Sequence, residues 1–183
     1  MAAAALPAQS RSAPPLRVLF VGNSYLYVND LPAQVERLAA LRGRALRTTL
    51  HAAPDYALVD HLHDRRFDRV LAQPWDWVVL QQGPSASPQG RAELIASVRT
   101  IAERLHGRSL RIALVAGWPA SRNASMSPAA ERSHRDAAAA VSACVLPVAT
   151  AWRLARAEDG VPTLYAADGL HATRMGRAFQ LGP

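Results

Sequence analysis

Short apolar runs alternate with helix-period stretches along most of the chain, and this alternation narrows the possible folds more than any other feature. Residues 16–21, 45–51, 75–81, 110–116 and 145–148 read as strands. After the first, Asp30 is the expected helix cap, and Leu31, Val35, Leu38 and Leu41 recur on one face until Gly43. A short helix is expected over 56–63. Ser87-Pro88 opens a helix in which Leu94, Ile95, Val98, Ile101 and Leu105 share a face. Ser127-Pro128 opens another, running to about residue 142, and 150–158 forms one more before Asp159-Gly160. Strands joined by crossover helices imply a parallel sheet covered on both faces. The expected fold is therefore α/β, a three-layer α/β/α sandwich around a five-stranded parallel sheet. In such sheets, sites form beyond the carboxyl ends of the strands. Ser24 and the segments 81–85, 117–119 and 168–171 all follow predicted strands.

Length and charge exclude several classes. A chain of 183 residues supports one core, expected over 16–183. Residues 1–15 are Ala- and Pro-rich and are expected to form a disordered leader or the remnant of a signal peptide, without its basic and fully apolar regions. As written, the chain is expected to stay in the cytoplasm; a signal peptide lost from its start would imply secretion or a periplasmic location. The net charge is +7, but all 21 basic residues are Arg and they are scattered over helix-like segments, so no nucleic-acid partner is expected. No apolar stretch reaches the ~20 residues that span a bilayer, so no membrane partner is expected. The single cysteine, Cys144, excludes an internal disulfide and reads as a small core residue.

The chemistry-bearing residues are Ser24, at the end of the first apolar run, and the late sequence Asp168-Gly169-Leu170-His171. A serine hydroxyl attacks only when an imidazole takes its proton, and the imidazole needs an acceptor that fixes its tautomer. Asp168 and His171, three apart on one loop, are suited to turn toward the same point. Ser, Asp and His in this chain order are the parts of a serine-hydrolase triad. The backbone N–H of Ser24 and donors from the segment 81–85 are candidates for stabilising the oxyanion. A rival constellation is Asp60-His61-Leu62-His63-Asp64. On a helix His61 and His63 project ~200° apart, so they do not share a metal, and no metal or other cofactor is expected.

These residues resemble the conserved blocks of the SGNH (GDSL-type) hydrolase superfamily. Gly22-Asn23-Ser24 is similar to its first block, with Asn23 where many members carry Asp, and Asp168-Gly169-Leu170-His171 to its last. Trp77-Val78-Val79-Leu80-Gln81-Gln82-Gly83-Pro84-Ser85 falls where the third block, Gly-x-Asn-Asp, follows a strand. The resemblance spans about 17–182. It implies a flavodoxin-like fold, a triad of Ser24, His171 and Asp168, and metal-independent hydrolysis of an acyl or acetyl ester of a small molecule or carbohydrate. Asn23, Tyr25 and Trp118 would line the substrate pocket. Aligning Gly83 with the third block's glycine puts Ser85 where the oxyanion-hole asparagine belongs. Either Gln81 or Gln82 then supplies the amide donor, or the hole is weaker. The second block's glycine is missing from His51-Ala52-Ala53-Pro54-Asp55-Tyr56, which leaves the N–H of Ala53 or Asp55. These departures favour the alternative, a non-catalytic relative that binds a carbohydrate or other ligand at the same edge.

Overall fold

The computed structural model describes residues 13–161 and 163–173. Five strands, β1 (Leu16–Gly22), β2 (Leu46–Ala52), β3 (Trp77–Gln81), β4 (Arg111–Val115) and β5 (Cys144–Leu146), form one parallel sheet in the order β2-β1-β3-β4-β5. Successive residues of a strand point to opposite faces, and in β1 both sets are buried. Leu19 and Val21 join Val78, Leu80 and Leu114 under α3 (Leu58–His63), α4 (Arg65–Leu71), α5 (Pro88–Arg104) and α6 (Ser127–Ala139). Val18 and Phe20 join Val79, Ala113 and Val115 under α1 (Ser24–Tyr27), α2 (Leu31–Leu41) and α7 (Val148–Arg156). A strand buried on both faces must be a continuous apolar run, which is why these strands stand out in the sequence.

The helix starts follow local chemistry. The Ser87 hydroxyl accepts from the Gly90 N–H, with Pro88 in the first turn where its missing N–H costs nothing. Asp30 stands at the N-cap of α2 as expected, but it sits in the left-handed region at φ 55° and its carboxylate makes no capping hydrogen bond. At that φ the side chain is swung away from the N–H groups of the first turn. The expected face of α2 is also only half used, since Leu41 is 82% exposed. The helix packs beside the edge strand β2, and the side chain of its last residue, Leu41, is left uncovered. Helix α4 was not foreseen; only Phe67 and Leu71 of its seven residues are buried, and the remainder is largely charged. Cys144 is exposed rather than a core residue. It lies on a three-residue edge strand, where alternate side chains face away from the core. The expected leader, except for residues 13–15, and residues 174–183 lie outside the described residues.

Burial of histidines gives the fold a pH dependence. His61 and His134 are fully buried and His51 partly so; loss of hydration pushes all three below the ordinary value of 6.5. Each takes up its proton at a lower pH in the folded protein than in the unfolded chain, which does so from about pH 6.5 downward. The contribution of these histidines to stability is thus full above that pH and falls as the pH drops below it. The urea midpoint is expected to be lower at pH 5.5 than at pH 7.5. An unchanged or higher midpoint at pH 5.5 would contradict this. Asp64 and Asp168, both held at about 2 by hydrogen bonds to Arg66 and His171, add losses only below about pH 4.

Candidate active site

Four chain segments meet beyond the carboxyl edge of the sheet, and the first carries Ser24. β1 ends at Gly22, and Ser24 opens α1, so its backbone N–H is one of the unpaired donors of a helix start. Asn23 links the two. Its Oδ1 accepts from the Tyr25 N–H at 3.2 Å, and its Nδ2 donates to the Tyr56 carbonyl at 3.0 Å. Asn23 is 7% exposed, so it acts on backbone rather than on a ligand. Ser24 itself is half-buried, and its hydroxyl has no hydrogen-bond partner among the described residues.

The segment 168–171 is folded around the Asp168 carboxylate. Oδ1 accepts the N–H groups of Leu170 and His171 at 2.8 and 2.9 Å, and Oδ2 accepts from His171 Nδ1 at 2.6 Å. The hydrogen bond from His171 and then the two backbone donors hold the carboxyl at about 2. With Nδ1–H donated, Nε2 is the basic nitrogen; it is shielded from solvent and has no partner among the described residues. The loop is tied down by Ala166 N–H to the His171 carbonyl (2.8 Å), Ser121 N–H to the Gly169 carbonyl (2.8 Å) and Trp118 Nε1–H to the Leu170 carbonyl (2.9 Å). Gly169 takes φ 67° with Ser121 Oγ where a Cβ would stand, so both conformation and space require glycine here.

Tyr25 joins the serine and histidine segments. Its ring lies 4.9 Å from that of Trp118 and 6.1 Å from that of His171, and its hydroxyl donates to the Trp118 carbonyl. Burial, then the charges of Tyr165 and Asp168, push its phenol well above the ordinary value. Trp118 is 2% exposed and stacks on Trp152 at 4.0 Å. Sequence reasoning gave it a place in a substrate pocket and missed that its indole anchors the histidine loop. A cleft of about 320 Å³ opens between Tyr25, the 84–87 segment, the 119–126 segment and Leu170. A second, strongly apolar cavity of about 250 Å³ lies beneath Tyr25, Trp118 and Gln81 along the sheet face. A further hollow of about 850 Å³ is at the opposite end, around Arg108 and Arg111, away from all four segments.

The two glutamines at the end of β3, Gln81 as its last residue and Gln82 just beyond it, have separate tasks. Gln82 is engaged at both ends: Oε1 accepts from the Leu58 N–H, and Nε2 donates to Ser85 Oγ, which donates in turn to the Gly83 carbonyl. Gln81 is 1% exposed; its Oε1 accepts from the Asn23 N–H at 2.9 Å, and its Nε2 has no partner among the described residues. In the second loop the Ala53 N–H donates to the Gly22 carbonyl, and Asp55 takes the left-handed φ of 58° that suits glycine. His61 turns inward and His63 outward, as their spacing on a helix demands. No group of three or more His, Cys, Asp or Glu suited to a metal occurs among the described residues, and no described helix is long and apolar enough to cross a membrane.

No family model and no curated protein matches the sequence. Solved structures do match, over nearly the full length of both chains. A protein from Slackia heliotrinireducens assigned as an SGNH hydrolase is 23% identical, with a TM-score of 0.76 over 92% of this chain and 96% of that one. The chain has the fold of the SGNH hydrolases. A lipase/acylhydrolase from Enterococcus faecalis is 19% identical (TM-score 0.72, covering 89% and 90%). AlinE4, an SGNH-hydrolase family esterase, is 20% identical (TM-score 0.65, 91% and 90%). Within this SGNH fold the order β2-β1-β3-β4-β5 puts β1, β3 and β4 at the centre. Ser24 and Trp118 follow β1 and β4, and Gln81 is the last residue of β3.

Proposed function

We propose that the protein is a metal-independent serine hydrolase of the SGNH type, cleaving a carboxylic ester. The observation that carries this reading is the His171–Asp168 pair. Its hydrogen bond of 2.6 Å fixes the tautomer, and its Nε2 is shielded and without a partner among the described residues, on a loop joined through Trp118 to Tyr25, the residue after Ser24. The esterase and lipase names of the structural neighbours add support. In the proposed reaction Ser24 Oγ attacks the acyl carbonyl while His171 Nε2 takes the hydroxyl proton. Asp168 stabilises the imidazolium, which then protonates the departing alcohol. Water, deprotonated by the same imidazole, releases the acid from the acyl-serine. The Ser24 N–H is the first oxyanion donor. Of the side chains considered as a second, Gln81 has the one unpartnered amide, because Gln82 Nε2 and Ser85 are already hydrogen-bonded to each other and to Gly83. The substrate is an acyl or acetyl ester of a small alcohol or carbohydrate. The apolar cavity beneath Tyr25 and Trp118 favours an uncharged acyl group.

The test is a fluorophosphonate probe, which is expected to add one equivalent to the tryptic peptide 18–37, on Ser24. Folded protein that takes up no probe, or takes it up elsewhere, would overturn the proposal. The second reading is a non-catalytic protein that binds a carbohydrate or similar ligand at the same edge. It draws support from the prior engagement of Gln82, Ser85 and the Ala53 N–H, which leaves few oxyanion donors. Absence of labelling together with retained ligand binding would favour it.

A further inference from the structure

We propose that His61 is a positioning residue for the nucleophile: it holds the peptide plane that precedes Ser24 by one residue. The inference rests on the reading of Ser24 as nucleophile. His61 lies on α3 and is fully buried, among side chains that do no chemistry in the proposed mechanism. Its Nε2 is 2.9 Å from the Gly22 carbonyl oxygen. A carbonyl only accepts, so Nε2 carries the proton, and Nδ1 is left as a buried acceptor without a partner among the described residues. That arrangement is unfavourable in itself, since a buried polar atom without a hydrogen bond has lost its hydration and gained nothing in return. An aliphatic side chain would fill the position without that cost.

The benefit is found at the far end of the hydrogen bond. The Gly22 carbonyl and the Asn23 N–H belong to one planar peptide unit. His61 Nε2 grips its oxygen at 2.9 Å, and Gln81 Oε1 grips its N–H, also at 2.9 Å. The sheet alone holds it weakly, because the last β1–β2 bond, from the Ala53 N–H to the same oxygen, is 3.3 Å long. Rotation of this plane would carry Ser24 with it. The imidazole is itself fixed by aromatic neighbours on three segments, with ring centres at 5.0 Å (His51), 5.1 Å (Tyr56) and 5.8 Å (Phe67). Tyr56 is also the residue whose carbonyl holds Asn23 Nδ2. One cluster thus grips both residues that precede Ser24.

The test compares His61→Leu, His61→Asn and His61→Gln with wild type. Leu removes the donor, Asn keeps an amide too short to reach Gly22, and Gln places its Nε2 where the imidazole Nε2 stood. Fluorophosphonate labelling is resolved into probe affinity and maximal rate, alongside hydrogen exchange of a peptide covering residues 20–26. The maximal rate is expected to fall about tenfold in His61→Leu and His61→Asn with probe affinity within about twofold, and to return to within about threefold of wild type in His61→Gln. Exchange of the peptide should accelerate about tenfold in the first two variants and not in the third. If His61→Leu fails to fold, the Asn and Gln pair gives the same comparison. Labelling of His61→Asn at the wild-type rate, or an equal fall in Asn and Gln, would overturn the proposal. A wild type that is never labelled would overturn the nucleophile reading, and the exchange data would still decide whether His61 holds the corner.

Discussion

Asp168→Asn is expected to leave the protein folded and to lower kcat for a short-chain ester by roughly 10²–10⁴-fold, through the tautomer of His171. The geometry leaves the asparagine little choice of orientation. Oδ1 of Asp168 accepts two backbone N–H groups, from Leu170 and His171. An amide oxygen must take that place, because an NH₂ group there would face two donors. The amide nitrogen then points at His171 Nδ1, now 2.6 Å from Oδ2, and Nδ1 has to become the acceptor. The imidazole proton moves to Nε2, the atom that must be bare to take the serine proton. The range extends below the effect seen for fully enclosed triads because the Asp168 side chain is 49% exposed, and solvent weakens what it does electrostatically. The same exposure argues that little stability is at stake. Folding should be checked by the thermal midpoint and activity by hydrolysis of a p-nitrophenyl ester. A kcat within about threefold of wild type, in folded protein, would sink the assignment of Asp168 as the orienting carboxylate.

What could be read from the sequence follows from how local each feature is. The Asp168/His171 pair is closed by residues three apart, so its spacing was visible. The central strands were visible because burial on both faces leaves continuous runs such as Val18-Leu19-Phe20-Val21. The supports of Ser24 were not visible. Gly22 and His61 are 39 residues apart, and Asn23 and Gln81 are 58 apart. Nothing in either neighbourhood records the pairing until the sheet brings β1 and β3 together. A partial signal for His61 did exist: it shares a helix face with Leu58, and a lone polar residue on an apolar face needs a partner. Edges misled for the reverse reason. Cys144 and Leu41 sit in apolar patterns, but no pattern records whether anything covers them, and both are exposed at the margins of the sheet.

The sharpest steric constraint falls on Gly22, and Gly22→Ala is expected to lower kcat about 100-fold and to destabilise the fold by about 1–3 kcal/mol. No unusual backbone angle is involved; the reason is space. A Cβ at this position would collide with Gln81 Oε1 and stand 2.9 Å from both the Gln81 carbonyl oxygen and Leu26 Cδ1. Leu26 can turn aside, but the other two atoms cannot easily do so. The carbonyl is part of the β3 backbone, paired on both sides with β1 and β4. Oε1 is the acceptor that holds the Asn23 N–H, so moving it frees the peptide that His61 holds from the other side. The alanine must therefore displace β1 itself or release the corner, and either movement shifts Ser24. In a chain of this size the stability loss corresponds to a thermal midpoint lower by roughly 2–12 °C. Gly83→Ala is the stability control, since nothing lies within 4 Å of its added Cβ and its midpoint should change far less. If Gly22→Ala matched Gly83→Ala in midpoint and kept kcat within about twofold of wild type, the corner would be looser than these contacts require, and its role in holding the nucleophile would have to be abandoned.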